Sequence, residues 1–151
     1  LSVDKNGKPF IIRSQKIEQK TDIINLQADA LFKFNGSSLN DLLPEGKASL
    51  ERLSSDIRNK YININNIRLT GHTDRLGGNN YNYNLGLSRA ETVKNYLVNI
   101  GLPENIFTTE SSGPNNPVTD GCFNNKGLEK TKLCLSPDRR VTVNIKGYIQ
   151  K

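Results

Sequence analysis

The chain has 151 residues, enough for one domain around one buried core, and no apolar run comes near the about 20 residues that cross a bilayer. Its formal charge of +6 suits an anionic partner, yet the 21 Lys and Arg are spread thinly and the aromatics do not interleave with them, which argues against a nucleic-acid face. It starts at Leu1 and contains no Met, so it reads as a processed chain or an excised piece.

Residues 1–21 are polar and charged, with a turn-like Asn6-Gly7-Lys8-Pro9 and one apolar cluster, Phe10-Ile11-Ile12. They read as a linker, N-terminal extension or edge strand, leaving residues 22–151 as the domain. From Asp22, Ile24, Leu26 and Ala28 alternate with polar neighbours, and Leu31-Phe32-Lys33-Phe34 runs into Asn35-Gly36. This predicts a first strand ending in a turn. Pro44 then precedes Ala48, Leu50, Leu53 and Ile57, the rhythm of an amphipathic helix lasting to about Tyr61.

A second strand is predicted where Ile67, Leu69 and Gly71 alternate with Arg68 and Thr70, stopping at His72-Thr73-Asp74. Beyond Gly77-Gly78, Leu87, Ala90, Val93, Leu97 and Ile100 recur at helical spacing up to Gly101, a suitable helix stop, with Pro103 beyond it. Ile106 to Thr109 makes a third strand, and Ser111 to Asn125 a Gly/Pro/Asn loop. A helical turn or two fits between Lys126 and Leu133. Val141, Val143 and Ile145 alternate with polar residues in a last strand. The order βαβαβ(α)β predicts an α/β (α+β) domain, a small mixed four-stranded sheet with helices packed on it.

Cys122 and Cys134 flank one loop without CxxC spacing or a nearby histidine, so a metal site is not expected. They read best as a disulfide worth about 3 kcal/mol by chain entropy, which favours an oxidising compartment; two free thiols are the alternative. Three features carry chemistry. His72-Thr73-Asp74 lies at a strand's carboxyl end, where α/β folds bind ligands, although Asp74 equally suits an Asx turn. Asn82, Leu85 and Arg89 share one stripe of the long helix, placing a guanidinium within reach of Asp74 or of a ligand carboxylate. Pro137-Asp138-Arg139-Arg140 leads straight into the last strand. No GxSxG, HExxH or Walker loop is present, and the single His72 has no histidine partner.

Leu69-Thr70-Gly71-His72-Thr73-Asp74-Arg75-Leu76-Gly77, followed by Tyr81-Asn82, Leu85, Arg89-Ala90, Val93 and Tyr96-Leu97, resembles the signature of OmpA-like peptidoglycan-binding domains. The likeness extends to Asn116-Pro117-Val118-Thr119, Pro137-Asp138-Arg139-Arg140-Val141, Phe32-Lys33-Phe34-Asn35 and Pro44-Glu45-Gly46, covering about residues 22–147. The paired cysteines place it nearest the C-terminal periplasmic domains of Gram-negative outer-membrane proteins. One departure is Gly86, where the family has Ser, which would loosen the start of the long helix.

The resemblance implies non-covalent binding of peptidoglycan through the diaminopimelate of a stem peptide, with no cofactor and no bond broken. Asp74 would take the ligand ammonium and Arg89 its carboxylate. Asn82 would brace the loop or reach the peptide, Thr73 and Leu85 belong to the same motif, donors after Asn35 would assist, and Arg140 would line the rim. The parent protein would be membrane-attached upstream of Leu1, and a homodimer stays open. Two other readings remain: a wall hydrolase using Asp74 and Glu110, and a basic module for an acidic partner.

Overall fold

In a computed structural model, residues 2–3, 5–7, 9–10, 17–124 and 127–150 are described. Ser2–Val3 (β1) and Pro9–Phe10 (β2) form a small antiparallel ladder; Ile11 and Ile12 of the apolar cluster lie outside the described residues. The main sheet is mixed and four-stranded, as expected. It comprises Ile17–Gln27 (β3), Tyr61–His72 (β4), Phe107–Gly113 (β5) and Arg140–Gln150 (β6), in the order β3-β6-β4-β5. β4 and β5 are parallel, and the remaining neighbours antiparallel.

The helices are Ala28–Leu31 (α1), Pro44–Lys60 (α2), Asn79–Asn99 (α3) and Leu128–Cys134 (α4). Leu50, Leu53 and Ile57 from α2 and Ala90, Val93 and Leu97 from α3 meet Ile67 and Leu69 of β4 and Val141, Val143 and Ile145 of β6 in one core. This is the face predicted by the 3.6 and 2 periods. α3 stops as expected: Gly101 takes φ +122°, open to a residue without Cβ, and its N–H bonds Val98 O at 3.0 Å.

The first strand differs from expectation at both ends. It starts at Ile17, so the sheet takes in the last residues of the segment read as linker or edge strand; being at an edge, they pair through backbone groups without needing an apolar pattern. It also ends at Gln27, not Phe34. Leu31 and Phe32 are consecutive and both buried, which an alternating strand forbids. α1 turns the chain there, and Phe32 makes an isolated bridge to Leu42.

β4 reaches back to Tyr61, six residues before the expected Ile67. Two register shifts against β6, between Tyr61 and Asn63 and between Ile64 and Asn66, reset the inside–outside parity, so no continuous alternation marks this stretch.

Candidate functional site

The register brings three loops together. Gln27 and His72 both pair with Arg140, so the turn after β3, the loop after β4 and the lead-in to β6 converge at one end of the sheet. α3 begins there too. Between these elements lies a cleft of about 250 Å³ whose walls include Asp29, Phe34, Asn35, Thr73, Asp74, Leu76, Tyr81, Asn82, Leu85, Arg89, Lys132 and Arg139.

Asp74 uses one oxygen locally and one across the site. Its Oδ1 accepts the Leu76 N–H at 2.9 Å, the Asx turn anticipated for it, while Oδ2 accepts Arg139 Nη1 at 2.8 Å. Asn82, buried on α3, donates to Leu76 O at 2.8 Å and to Asp74 O at 3.4 Å, so its amide braces this loop. Thr73 is also buried, its N–H bonded to Gly113 O.

Arg89 approaches from α3 and is only 4% exposed. Its Nε–H donates to Gly36 O at 2.9 Å, and its guanidinium sits 5.7 Å from the Phe32 ring centroid. Its Nη1 is buried without a hydrogen-bond partner among the described residues. Burial pulls this guanidinium below its ordinary pKa, opposed by the charge of Asp29. No ion pair joins Asp74 to Arg89 among the described residues; each has other partners.

The loop opposite is shaped by Asp41, whose Oδ2 accepts the N–H groups of Ser37 and Ser38, holding the carboxyl below its usual range. Asn35 takes φ +58° in this turn, a conformation asparagine tolerates, and Thr92 of α3 donates to Ser37 O. Phe34, 79% exposed, lies beside Lys132, whose ammonium is 5.4 Å from its ring centroid.

Arg140 does not line the cleft. Its guanidinium donates to Asp138 O and Asn116 O, both at 3.2 Å, and burial lowers its pKa. Adjacent residues leave a strand on opposite sides, so Arg139 takes the place expected for Arg140. Arg139 shares the inward parity of Val141, Val143 and Ile145, a signal present in the sequence. Glu110 is also outside the cleft, accepting from Thr70 Oγ1 at 2.9 Å, with Arg68 at 3.9 Å.

A family model described as the OmpA family matches residues 31–131, more than half of the chain. The chain belongs to the OmpA family. It is 36% identical over 140 residues to outer membrane protein A of Shigella flexneri, covering 92% of this chain and 39% of that protein. Against outer membrane protein A of Escherichia fergusonii it is 37% identical over 131 residues, 86% of this chain and 53% of that one. The chain thus spans about two fifths to one half of these relatives.

The fold matches the periplasmic domain of Helicobacter pylori MotB, with a TM-score of 0.65 at 23% identity, covering 86% of both chains. It also matches the peptidoglycan-associated lipoprotein from Burkholderia pseudomallei, at 0.57 and 23%, covering 77% of this chain and 87% of that one. The cell wall anchor of the T6SS from Pseudomonas aeruginosa gives 0.64 at 20%, covering 91% and 88%.

Measured against the OmpA pattern, Gly86 is not a loosened helix start. It lies inside α3, where a Cβ would stand 2.6 Å from Ser111 Oγ and 3.0 Å from Gly71 O. A Cβ on Gly71 would meet Gly86 O at 1.8 Å. Helix and strand therefore cross backbone to backbone at two glycines. Cys122 and Cys134 are bonded, Cα to Cα 5.5 Å, tying α4 to the preceding loop. Asp138, fully buried, accepts the N–H groups of Val118 and Thr119 and the Thr119 hydroxyl, fixing that loop to the lead-in of β6.

Proposed function

We propose that this chain is a periplasmic module that grips the peptidoglycan wall non-covalently, taking the free end of a diaminopimelate side chain from an uncross-linked stem peptide. The observation that carries this reading is a cleft holding Asp74 and Arg89 on its walls without pairing them. That free end offers an ammonium and a carboxylate on one carbon, so its receptor needs one anion and one cation a few ångströms apart. Asp74 accepts the ammonium. Arg89, on the opposite wall, meets the carboxylate with its guanidinium.

Asn82 and Thr73 hold the loop that presents Asp74, and Leu85 and Asn35 line the walls. Similarity to proteins named as a peptidoglycan-associated lipoprotein and a cell wall anchor supports the reading, as does membership of the OmpA family. Relatives named outer membrane protein A support attachment of the parent protein to the outer membrane, so that the module links membrane to wall. Glu110 is not among the residues lining the cleft and is engaged by Thr70 and Arg68, which does not favour a hydrolytic pair with Asp74. Incubation with purified sacculi tests the proposal: bound, intact wall is expected, whereas release of soluble muropeptides would overturn it in favour of an enzyme.

A further inference from the structure

Asp74 already has a cation beside it. Arg139 makes a two-pronged contact with Asp29, Nε to Oδ1 at 3.0 Å and Nη2 to Oδ2 at 2.7 Å, and sends Nη1 to Asp74 Oδ2 at 2.8 Å and to Lys132 O at 3.0 Å. Asp74 Oδ1 accepts the Leu76 N–H and Oδ2 accepts Arg139, so an arriving ammonium must share this carboxylate with the guanidinium. Two cations on one carboxylate repel each other in a partly enclosed site. Binding an amine therefore asks Arg139 to draw back, and the geometry keeps the loss small. The fork to Asp29 remains available to the guanidinium when the single contact to Asp74 is given up.

We propose that Arg139 is an internal stand-in for the ligand's ammonium, and that Asp29 is the positioning residue that sets how readily Asp74 is released to an amine. This rests on the binding reading above. Asp29 lies on α1 and is about half exposed, so its replacement leaves the core untouched. With Asp29 neutral, Arg139 turns its whole fork to Asp74, and the amine meets a carboxylate that is already paired.

The test is a double-mutant cycle read by calorimetric titration with meso-diaminopimelic acid, alongside melting curves. Asp29→Asn should weaken binding at least ~5-fold where Arg139 is present and less than ~2-fold in an Arg139→Gln background, a coupling of the size expected for contacting groups. An equal loss in both backgrounds would overturn the proposal, because Asp29 would then act on the ligand directly. A purely structural Asp29 would lower the melting temperature in step with binding, which also overturns it. If the unaltered chain does not bind the amino acid, or Asp74→Asn leaves its affinity unchanged, the binding reading itself fails. That outcome is distinct from a failed cycle on a protein that binds.

Discussion

Asp74 and Arg89 face one cleft while each is held by a different neighbour, Asp74 by the Leu76 N–H and Arg139, Arg89 by the Gly36 carbonyl. An ion pair between them would make stability and binding fall together on mutation. Separate anchorage predicts that they part. Asp74→Asn should melt within a few degrees of the unaltered protein, yet capture by sacculi should drop at least ~10-fold, each charge-assisted bond contributing about 1.5–3 kcal/mol. Arg89 is too deeply buried for truncation to be innocent, so Arg89→Lys is the better probe. It keeps the charge, loses the guanidinium fork, and should also cost about 10-fold in capture. Undiminished wall binding by both variants would end the assignment.

Specificity follows from reading both ends of one stereocentre. Replacing diaminopimelate by lysine removes the carboxylate that Arg89 meets, and amidating it leaves only a neutral acceptor in place of a charged one. Competition binding should rank the unmodified muropeptide first by an order of magnitude or so. Equal affinity for the lysine-type peptide would rule out two-point recognition.

His72, the single histidine, is buried at the end of β4, and desolvation together with the charge of Arg140 brings its pKa down to about 4. A histidine depressed below its unfolded value near 6.5 binds fewer protons in the folded state. Its stabilising contribution is complete above about pH 6.5 and is lost as pH falls towards 4. Denaturant unfolding should show stability declining through that window, less steeply in His72→Gln, and the imidazole proton resonances should titrate well below pH 6. A midpoint near 6.5 would refute the assignment.

The glycine crossing predicts an asymmetric pair. Gly71→Ala drives a Cβ into backbone at 1.8 Å and should cost about 3 kcal/mol or more. Gly86→Ala meets the Ser111 hydroxyl at 2.6 Å and the Gly71 carbonyl at 3.0 Å, a milder clash, and should cost less, with partial relief from Ser111→Ala. Equal losses in thermal unfolding would contradict the geometry.

Removing the Cys122–Cys134 bond by a double Cys→Ala change should lower stability by about 3 kcal/mol on the chain-entropy estimate. Sacculus capture should persist at a temperature where the variant is folded, since Asp138 still fastens the 118–119 loop and neither sulfur lines the cleft. Loss of capture by folded protein would show that α4 must be tethered for the site to form.

The legible parts of the site were those on long, periodic elements. Asn82, Leu85 and Arg89 declared themselves by helical spacing and Thr73 and Asp74 by their place at a strand end, and all five line the cleft. Asp29 was hidden because the segment around it looked like a continuing strand, and its partner Arg139 is 110 residues away. Between Arg139, just before β6, and Arg140, its first residue, the pattern offered parity to choose; Arg139 shares the face of Val141, Val143 and Ile145. The extra length of β4 was masked by two bulges, and Gly86 carried no signal until the facing strand was known.

The ladder between β3 and β6 has a mechanical meaning. β3 enters the sheet at Ile17, paired with Gln150, and leaves at Gln27, paired with Arg140 beside the cleft. With a wall peptide held at the cleft, tension reaching the module along the chain at Ile17 pulls β3 lengthwise past β6. The hydrogen bonds of an antiparallel pair lie across the strands, so such a pull shears the ladder along its length. The load is shared by the whole ladder at once, where an outward peel would open its bonds one after another. A ladder loaded this way yields only when many of its bonds break together.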